Sequence, residues 1–311
     1  MSHQADHHAP VHRSSGAAHQ HEPADVTGLA AAPSAAPAWR RICVCVDDFG
    51  MHGSVNAAAL QLAGLGRVQA IGILVGSPAW REGVVALRDL GAQRVDVGLH
   101  LDFTEFPLCA GSRRGLGGLI AASALRRLDL LAVRVEIAAQ LDAFEEALGR
   151  PPAFVDGHQH VHQFAGIRAE LVAELSLRYP RVRPWLRSTR HAGSDRLNPK
   201  AAFIELLGER GLAALARCRG FAQNAHLLGV YDFTGGAARY RSLLAAWLRR
   251  ATQADLLMCH PCCQAGPAVA WGAAREAEFE VLASAGFGEM LAGERIVLAP
   301  MSRILAQPDF G

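Results

Sequence analysis

The sequence predicts an α/β protein built on a single (β/α) barrel of seven to eight strands, distorted or incomplete. Three observations carry that expectation. Apolar strand-like runs alternate with amphipathic helix-like stretches from residue 41 onward, the pattern of a mostly parallel sheet. Acids and histidines stand at the ends of several of those runs, and in a barrel the C-terminal ends of all strands meet on one face. The first run leads into Asp47-Asp48-Phe49-Gly50, without the Gly-x-Gly-x-x-Gly turn of a doubly wound dinucleotide-binding sheet.

In chain order, residues 42–46 form the first strand, 54–66 a helix and 68–75 the second strand. A helix at 80–89 precedes a third strand at 95–101. A Gly-rich connection at 111–118 leads to a long helical stretch ending with 134–148, which Gly149 and Pro151 stop. Phe154-Val155 opens the next strand. A helix at 165–178, a strand at 182–186, helices at 198–216 and 235–250, a strand at 255–259, a helix at 273–285 and a strand at 295–299 complete the series.

The 311 residues ask for one large domain or two small ones. Residues 1–38 hold six of the 14 histidines and four of the 15 prolines and show no amphipathic period, so they read as a disordered His/Ala/Pro-rich tail. Residues 39–311 are apolar enough for one sizeable core. The net charge of +2 is dispersed and aromatic content is 6%, which argues against a nucleic-acid partner. No run reaches the 18 apolar residues of a membrane span, and the N-terminus lacks a basic start and an apolar signal core. Seven cysteines, an odd number, suit reduced thiols, so the expected location is cytoplasmic. The sequence does not encode the oligomeric state legibly.

Asp47 and Asp48 are adjacent at a strand end, point in different directions and so can take different tasks, one binding a cation while the other handles protons. The structural alternative is a helix N-cap. Asp156-Gly157-His158-Gln159-His160-Val161-His162 carries histidines at i, i+2 and i+4, which project to one side if the segment is extended and then converge as ligands for Zn²⁺ or a similar ion. A solvated polar loop is the alternative, but this cluster follows a strand. His100, alone on an apolar strand, gains interest from its level with Asp48 and His158; one Asp and two His with open positions make a reasonable hydrolytic metal site. His260 ends a late strand, where a supporting role competes with a chemical one. Cys259-His260-Pro261-Cys262 imitates a redox pair, yet lies far from the first helix where such a motif belongs.

Together Asp47-Asp48-Phe49-Gly50, Gly98-Leu99-His100-Leu101, the Asp156-to-His162 segment and Met258-Cys259-His260-Pro261, in this order and at these intervals, resemble the YdjC-like family of carbohydrate deacetylases, with its chitooligosaccharide deacetylase and hopanoid-biosynthesis branches. The similarity spans about residues 41–305, and Gly229-Val230-Tyr231-Asp232-Phe233 and residues 275–282 share it. The resemblance implies metal-dependent removal of an N-acetyl group from an amino sugar on a barrel-like fold. By the same resemblance Asp48, His100 and His158 hold one divalent ion, Mg²⁺ or Zn²⁺, Asp47 is the general base and His260 the acid. His160 and His162 then orient ligands, touch substrate or bind a second ion. Two departures stand out: Cys45-Val46 where the family often has Asn or Thr and then Ala, and Cys262 where a small residue usually follows His-Pro. An amidohydrolase-like enzyme is the rival within hydrolases, although there Asp-Gly-His-x-His belongs on the first strand and here it lies on about the fourth. A non-catalytic metal-binding protein would use the histidines and leave Asp47 and His260 idle.

Overall fold

The structure is a computed structural model that describes residues 38–90, 94–192, 198–267 and 269–307. The expectation for the N-terminal tail therefore lies outside the described residues, Ala38 apart. Strands β1 (Arg40–Phe49), β2 (Ala70–Ile73), β3 (Asp96–Leu101), β4 (Phe154–Gly157), β5 (Trp185–Leu186), β6 (Leu227–Leu228), β7 (Leu256–Cys259) and β8 (Ile296–Leu298) form one parallel sheet. Its order is β5-β4-β3-β2-β1-β7-β6, with β8 pairing the first three residues of β1. Between β5 and β6 runs an irregular seam rather than a ladder. It consists of the Leu186–Gln223 bridge and the bonds Leu186 N to Ala222 O (2.9 Å) and Leu227 N to Arg190 O (2.7 Å). This is the distorted α/β barrel that the sequence predicts.

Helices α1 (Gly53–Gly64), α2 (Trp80–Asp89), α3 (Leu116–Ala124), α4 (Leu130–Leu148), α5 (Ile167–Arg178), α6 (Pro199–Leu206), α7 (Glu209–Arg219), α8 (Ala237–Arg250), α9 (Gly272–Ala283), α10 (Ala285–Gly293) and α11 (Met301–Ala306) connect the strands. Boundaries follow local chemistry. Asp129 caps α4 by accepting from Leu131 N and Ala132 N, and Gly149 ends it in the left-handed conformation. The single helix expected at 198–216 is two, broken at Gly208 (φ 158°), where a Cβ would sit 2.1 Å from Gln163 O. The strand expected at 182–186 shrinks to two residues, since Pro184 has no N–H to give a ladder. The helix expected at 273–285 ends at Ala283, and Ser284 starts α10 by accepting from Phe287 N.

The period of two along the strands sorts side chains between two environments. On β1, Ile42, Val44 and Val46 join the core under the helices, while Cys43 and Cys45 join Phe154, Trp185, Leu256 and Met258 in a second cluster. Phe154 stacks on Trp185 at 4.4 Å there, and Met301 and Ile304 of α11 join the same cluster. One step further along the same parity, the strands change from apolar to ionisable: Asp47 after Cys45, His100 after Gly98, Asp156 after Phe154, Arg187 after Trp185, His260 after Met258. The polar site thus stands directly on an apolar floor.

Candidate active site

Asp48 adopts φ 67°, and the β1–β2 register shifts between Val46 and Phe49. A bulky L-residue rarely takes that conformation, whereas Asp tolerates it. The turn separates the neighbouring carboxylates completely. Asp47 receives the Arg187 guanidinium in a two-pronged pair, Nη1 to Oδ2 at 2.5 Å and Nη2 to Oδ1 at 2.6 Å. Asp48 Oδ2 accepts from Arg275 Nη2 at 2.5 Å. Its Oδ1 faces His158 Nδ1 at 2.9 Å and His100 Nε2 at 3.5 Å. The far nitrogen of His100 meets Asp156 Oδ1 at 2.7 Å, and Arg187 also pairs with Asp156 at 2.5 Å.

Asp48, His100 and His158 each present a ligand atom within 4.8 Å of the others, and all three are buried. This donor set fits a divalent ion. Asp156 fixes the His100 tautomer, leaving Nε2 toward Asp48, which is the usual support for a ligating imidazole. Burial works against charge on Asp48, yet His158 and Arg275 outweigh it and hold its carboxyl well below the usual range. His158 is pushed up to about 9, because Asp48 overcomes the opposing effect of burial. The cavity between these groups favours positive charge, from protons or from a cation. Cys45, Asp47 and Asp156 form a second cluster of ligand-type residues, but the Arg187 guanidinium already occupies it.

Burial also raises the Asp47 carboxyl, and Arg187 and His100 reverse that, leaving it below the ordinary value. His260 Nε2 lies 3.9 Å from Asp47 Oδ2, and its backbone N donates to Glu278 Oε2 at 2.5 Å. Burial depresses His260 to about 4 although Asp48 and Asp47 pull the other way, so the imidazole is neutral at rest.

The structure corrects the reading of the histidine triplet. Residues His158–Gln163 form a 3-10 turn, not an extended segment, and Gln159 (φ 52°) and His160 (φ 61°) are left-handed. The three rings consequently diverge. His158 joins Asp48; His160 lines the cavity; His162 Nε2 is 3.0 Å from the Arg187 carbonyl, as a neutral ring pushed down to about 4 by burial. Cys259 and Cys262 are not a pair: Cys259 contacts Cys45 O and Cys262 contacts Ser54 Oγ. Sequence reasoning assigned no role to Arg187, Arg275 or Glu278. For Arg187 a signal existed, since it ends a strand run at the parity of the other site residues. Arg275 and Glu278 sit on α9, one turn apart, within the 275–282 stretch that shares the family resemblance, but their charge pattern alone does not separate them from surface residues.

The cavity over this floor has mostly apolar walls, with Leu116 and Ile120 from α3, Phe203, Ile204 and Leu207 from the α6 region, and Tyr231, Phe233 and Trp271. The YdjC-like protein family matches residues 41–293. The chain belongs to that family. Among YdjC-like relatives, a carbohydrate deacetylase of Homo sapiens is 30% identical over 158 residues, 46% of this chain and 48% of its own length. A chitooligosaccharide deacetylase of Proteus mirabilis is 30% identical over 141 residues, covering 43% and 54%. The chain thus spans about half the length of the curated relatives it matches. A crystal structure of a candidate cellobiose-phosphate cleavage protein from Enterococcus faecalis shares the fold, with TM-score 0.63 and 18% identity over 86% of this chain and 100% of that one. No helix among the described residues is long and apolar enough to cross a membrane.

Proposed function

We propose that this protein is a metal-dependent hydrolase that removes the N-acetyl group from an amino sugar. The observation that carries the reading is the convergence of Asp48, His100 and His158 at the floor of a cavity that Asp47 and His260 also line. Relatives named carbohydrate deacetylase and chitooligosaccharide deacetylase support the same substrate class. Asp48, His100 and His158 would hold the ion; two imidazoles and one carboxylate suit Zn²⁺, with Mg²⁺ the other ion expected of the family. A divalent ion there supplies Lewis-acid polarisation of the amide carbonyl and activation of water.

Asp47 is the base that accepts the proton from the attacking water. Its two-pronged pair with Arg187 keeps it ionised and fixes its direction. His260 is the acid for the departing amine. Because its imidazole rests neutral, the proton it delivers is one received during turnover, and Asp47 Oδ2 at 3.9 Å is the nearest carboxylate to hand it over. His160 and His162 take no ligand role in this scheme; His160 faces substrate and His162 braces the strand that carries Arg187.

The test is acetate release from a panel of N-acetyl sugars by purified protein of measured metal content. The reading requires turnover that chelation abolishes and metal restores, and that His158→Ala loses together with its metal. A protein that binds metal tightly but releases no acetate from any N-acetylated saccharide would be the non-catalytic alternative instead.

A further inference from the structure

Above the floor, the cavity carries a layered aromatic wall. Phe233 lies against His260 (5.1 Å, edge to face) and stacks on Trp271 (4.9 Å, 15° between planes). The Lys200 ammonium sits 4.9 Å from the centre of the Phe233 ring and donates to the Tyr231 carbonyl at 2.6 Å. Phe233 is therefore enclosed on several sides. Trp271 is not: it lines the same cavity yet remains 57% exposed.

Both aromatic residues are held in the left-handed backbone region, Phe233 at φ 57° and Trp271 at φ 56°. That conformation is costly for a bulky residue and survives only where the surroundings impose it. Trp271 is also the N-terminal cap of α9, its carbonyl accepting from Ala274 N (2.9 Å) and Arg275 N (3.0 Å). The guanidinium of that same Arg275 grips Asp48. One helical turn thus fixes the exposed indole relative to the candidate cation site.

We propose that the Trp271 indole is a stacking platform for the sugar ring next to the one whose acetyl group is removed, so that it sets a preference for substrates of two or more rings. The proposal rests on the deacetylase reading above. A pyranose presents apolar C–H faces and a rim of hydroxyls; a flat, exposed indole buries the former while the latter stay wet. A platform that is already rigid loses little freedom on binding. The two ring contacts from His260 through Phe233 to Trp271 set the indole back from the groups at the floor, where an adjoining unit of the substrate would lie.

The experiment compares holoenzyme, Trp271→Ala and Trp271→Phe on N-acetylglucosamine and N,N′-diacetylchitobiose. Trp271→Ala is expected to lose about tenfold in kcat/KM on the disaccharide, mainly through KM, the scale of removing one aromatic contact with its buried area. The monosaccharide should change less than about twofold, and Trp271→Phe should recover most of the loss. An unchanged disaccharide value, or an equal fall on both sugars, overturns the proposal. Emission titrations with the disaccharide give a second reading: Trp80, Trp185 and Trp247 are buried and the exposed Trp39 precedes the start of β1, the end of that strand away from Asp47 and Asp48, so a change in the wild-type spectrum that vanishes in Trp271→Phe supports the platform. A change that persists in the variant, or none at all, rejects it. The titration decides even if Trp271→Ala fails to fold, and even if no N-acetyl sugar is turned over, the outcome that would sink the deacetylase reading alone.

Discussion

Replacing Arg187 by methionine removes one guanidinium while keeping much of its aliphatic volume. Arg187 is fully buried and pairs with both Asp47 and Asp156, themselves buried. Breaking such a pair from one side strands a buried charge and costs about 3–5 kcal/mol. At roughly 2–4 °C per kcal/mol for a domain of this size, the melting temperature at neutral pH should fall by about 6–20 °C. The pH dependence is the sharper signature. In the native protein, burial raises both carboxyls, Arg187 overrides it, and their folded pKa values lie below those of the unfolded chain. Their contribution is therefore present above the unfolded value and lost as pH falls through the folded one. Without Arg187, burial prevails and the folded values rise above the unfolded ones. The variant's carboxyls then contribute stability below the unfolded pKa and lose it as pH rises. The gap between the two melting curves should accordingly be widest near pH 8 and narrow toward pH 5. Thermal unfolding followed by circular dichroism in chelator, across that range, measures it. A gap below about 2 °C at neutral pH, or one that is constant with pH, refutes the assignment of Arg187 as the counter-charge of Asp47 and Asp156.

Asp47→Asn is expected to keep its metal and slow acetate release about 10²- to 10⁴-fold, the usual contribution of a positioned base; full activity at full metal occupancy would move the base elsewhere. His260→Ala should lower kcat with metal content unchanged, which metal analysis beside steady-state kinetics checks. Gly98→Ala places a Cβ 2.3 Å from the Phe154 ring beneath His100, and the overpacking should cost about 1–3 kcal/mol in urea unfolding. Deleting residues 1–38, which precede the family match at residue 41, should leave turnover unchanged; loss of activity in a truncated protein that still folds would make that segment a working part.

Long, strongly patterned elements were legible in the sequence because burial writes itself into periodicity: β1, α2, α4 and β7 fall within a few residues of expectation. The two-residue strands β5 and β6 are too short to carry a period, and their pairing depends on neighbours remote in sequence. At the site, Asp47, Asp48, His100, His158 and His260 announced themselves as ionisable residues ending apolar runs. The path of the chain after His158 did not. Two successive left-handed residues, Gln159 and His160, are held by tertiary packing, and no local propensity predicts them. For the same reason equal spacing of His158, His160 and His162 did not mean a common destination. Arg275 lay in a stretch that shares the family resemblance, but its role exists only once α9 brings its guanidinium to Asp48.

That last pairing has a consequence for vectorial synthesis. Asp48 and its guanidinium partner are 227 positions apart, and Asp47 and its own are 140 apart. At about 5–20 residues per second, a ribosome finishes the first interval in roughly 11–45 s and the second in about 7–28 s. Until the shorter interval ends neither acid on β1 has its counter-charge, until the longer one ends Asp48 still lacks its own, and β1 meanwhile lacks β7, one of its neighbours in the finished sheet. The nascent chain must therefore keep Asp47 and Asp48 in water while the apolar centre of its longest strand, Ile42 to Val46, waits for a partner. A chain halted between residues 187 and 275 would hold the neutralising arginine of one carboxylate but not of the other.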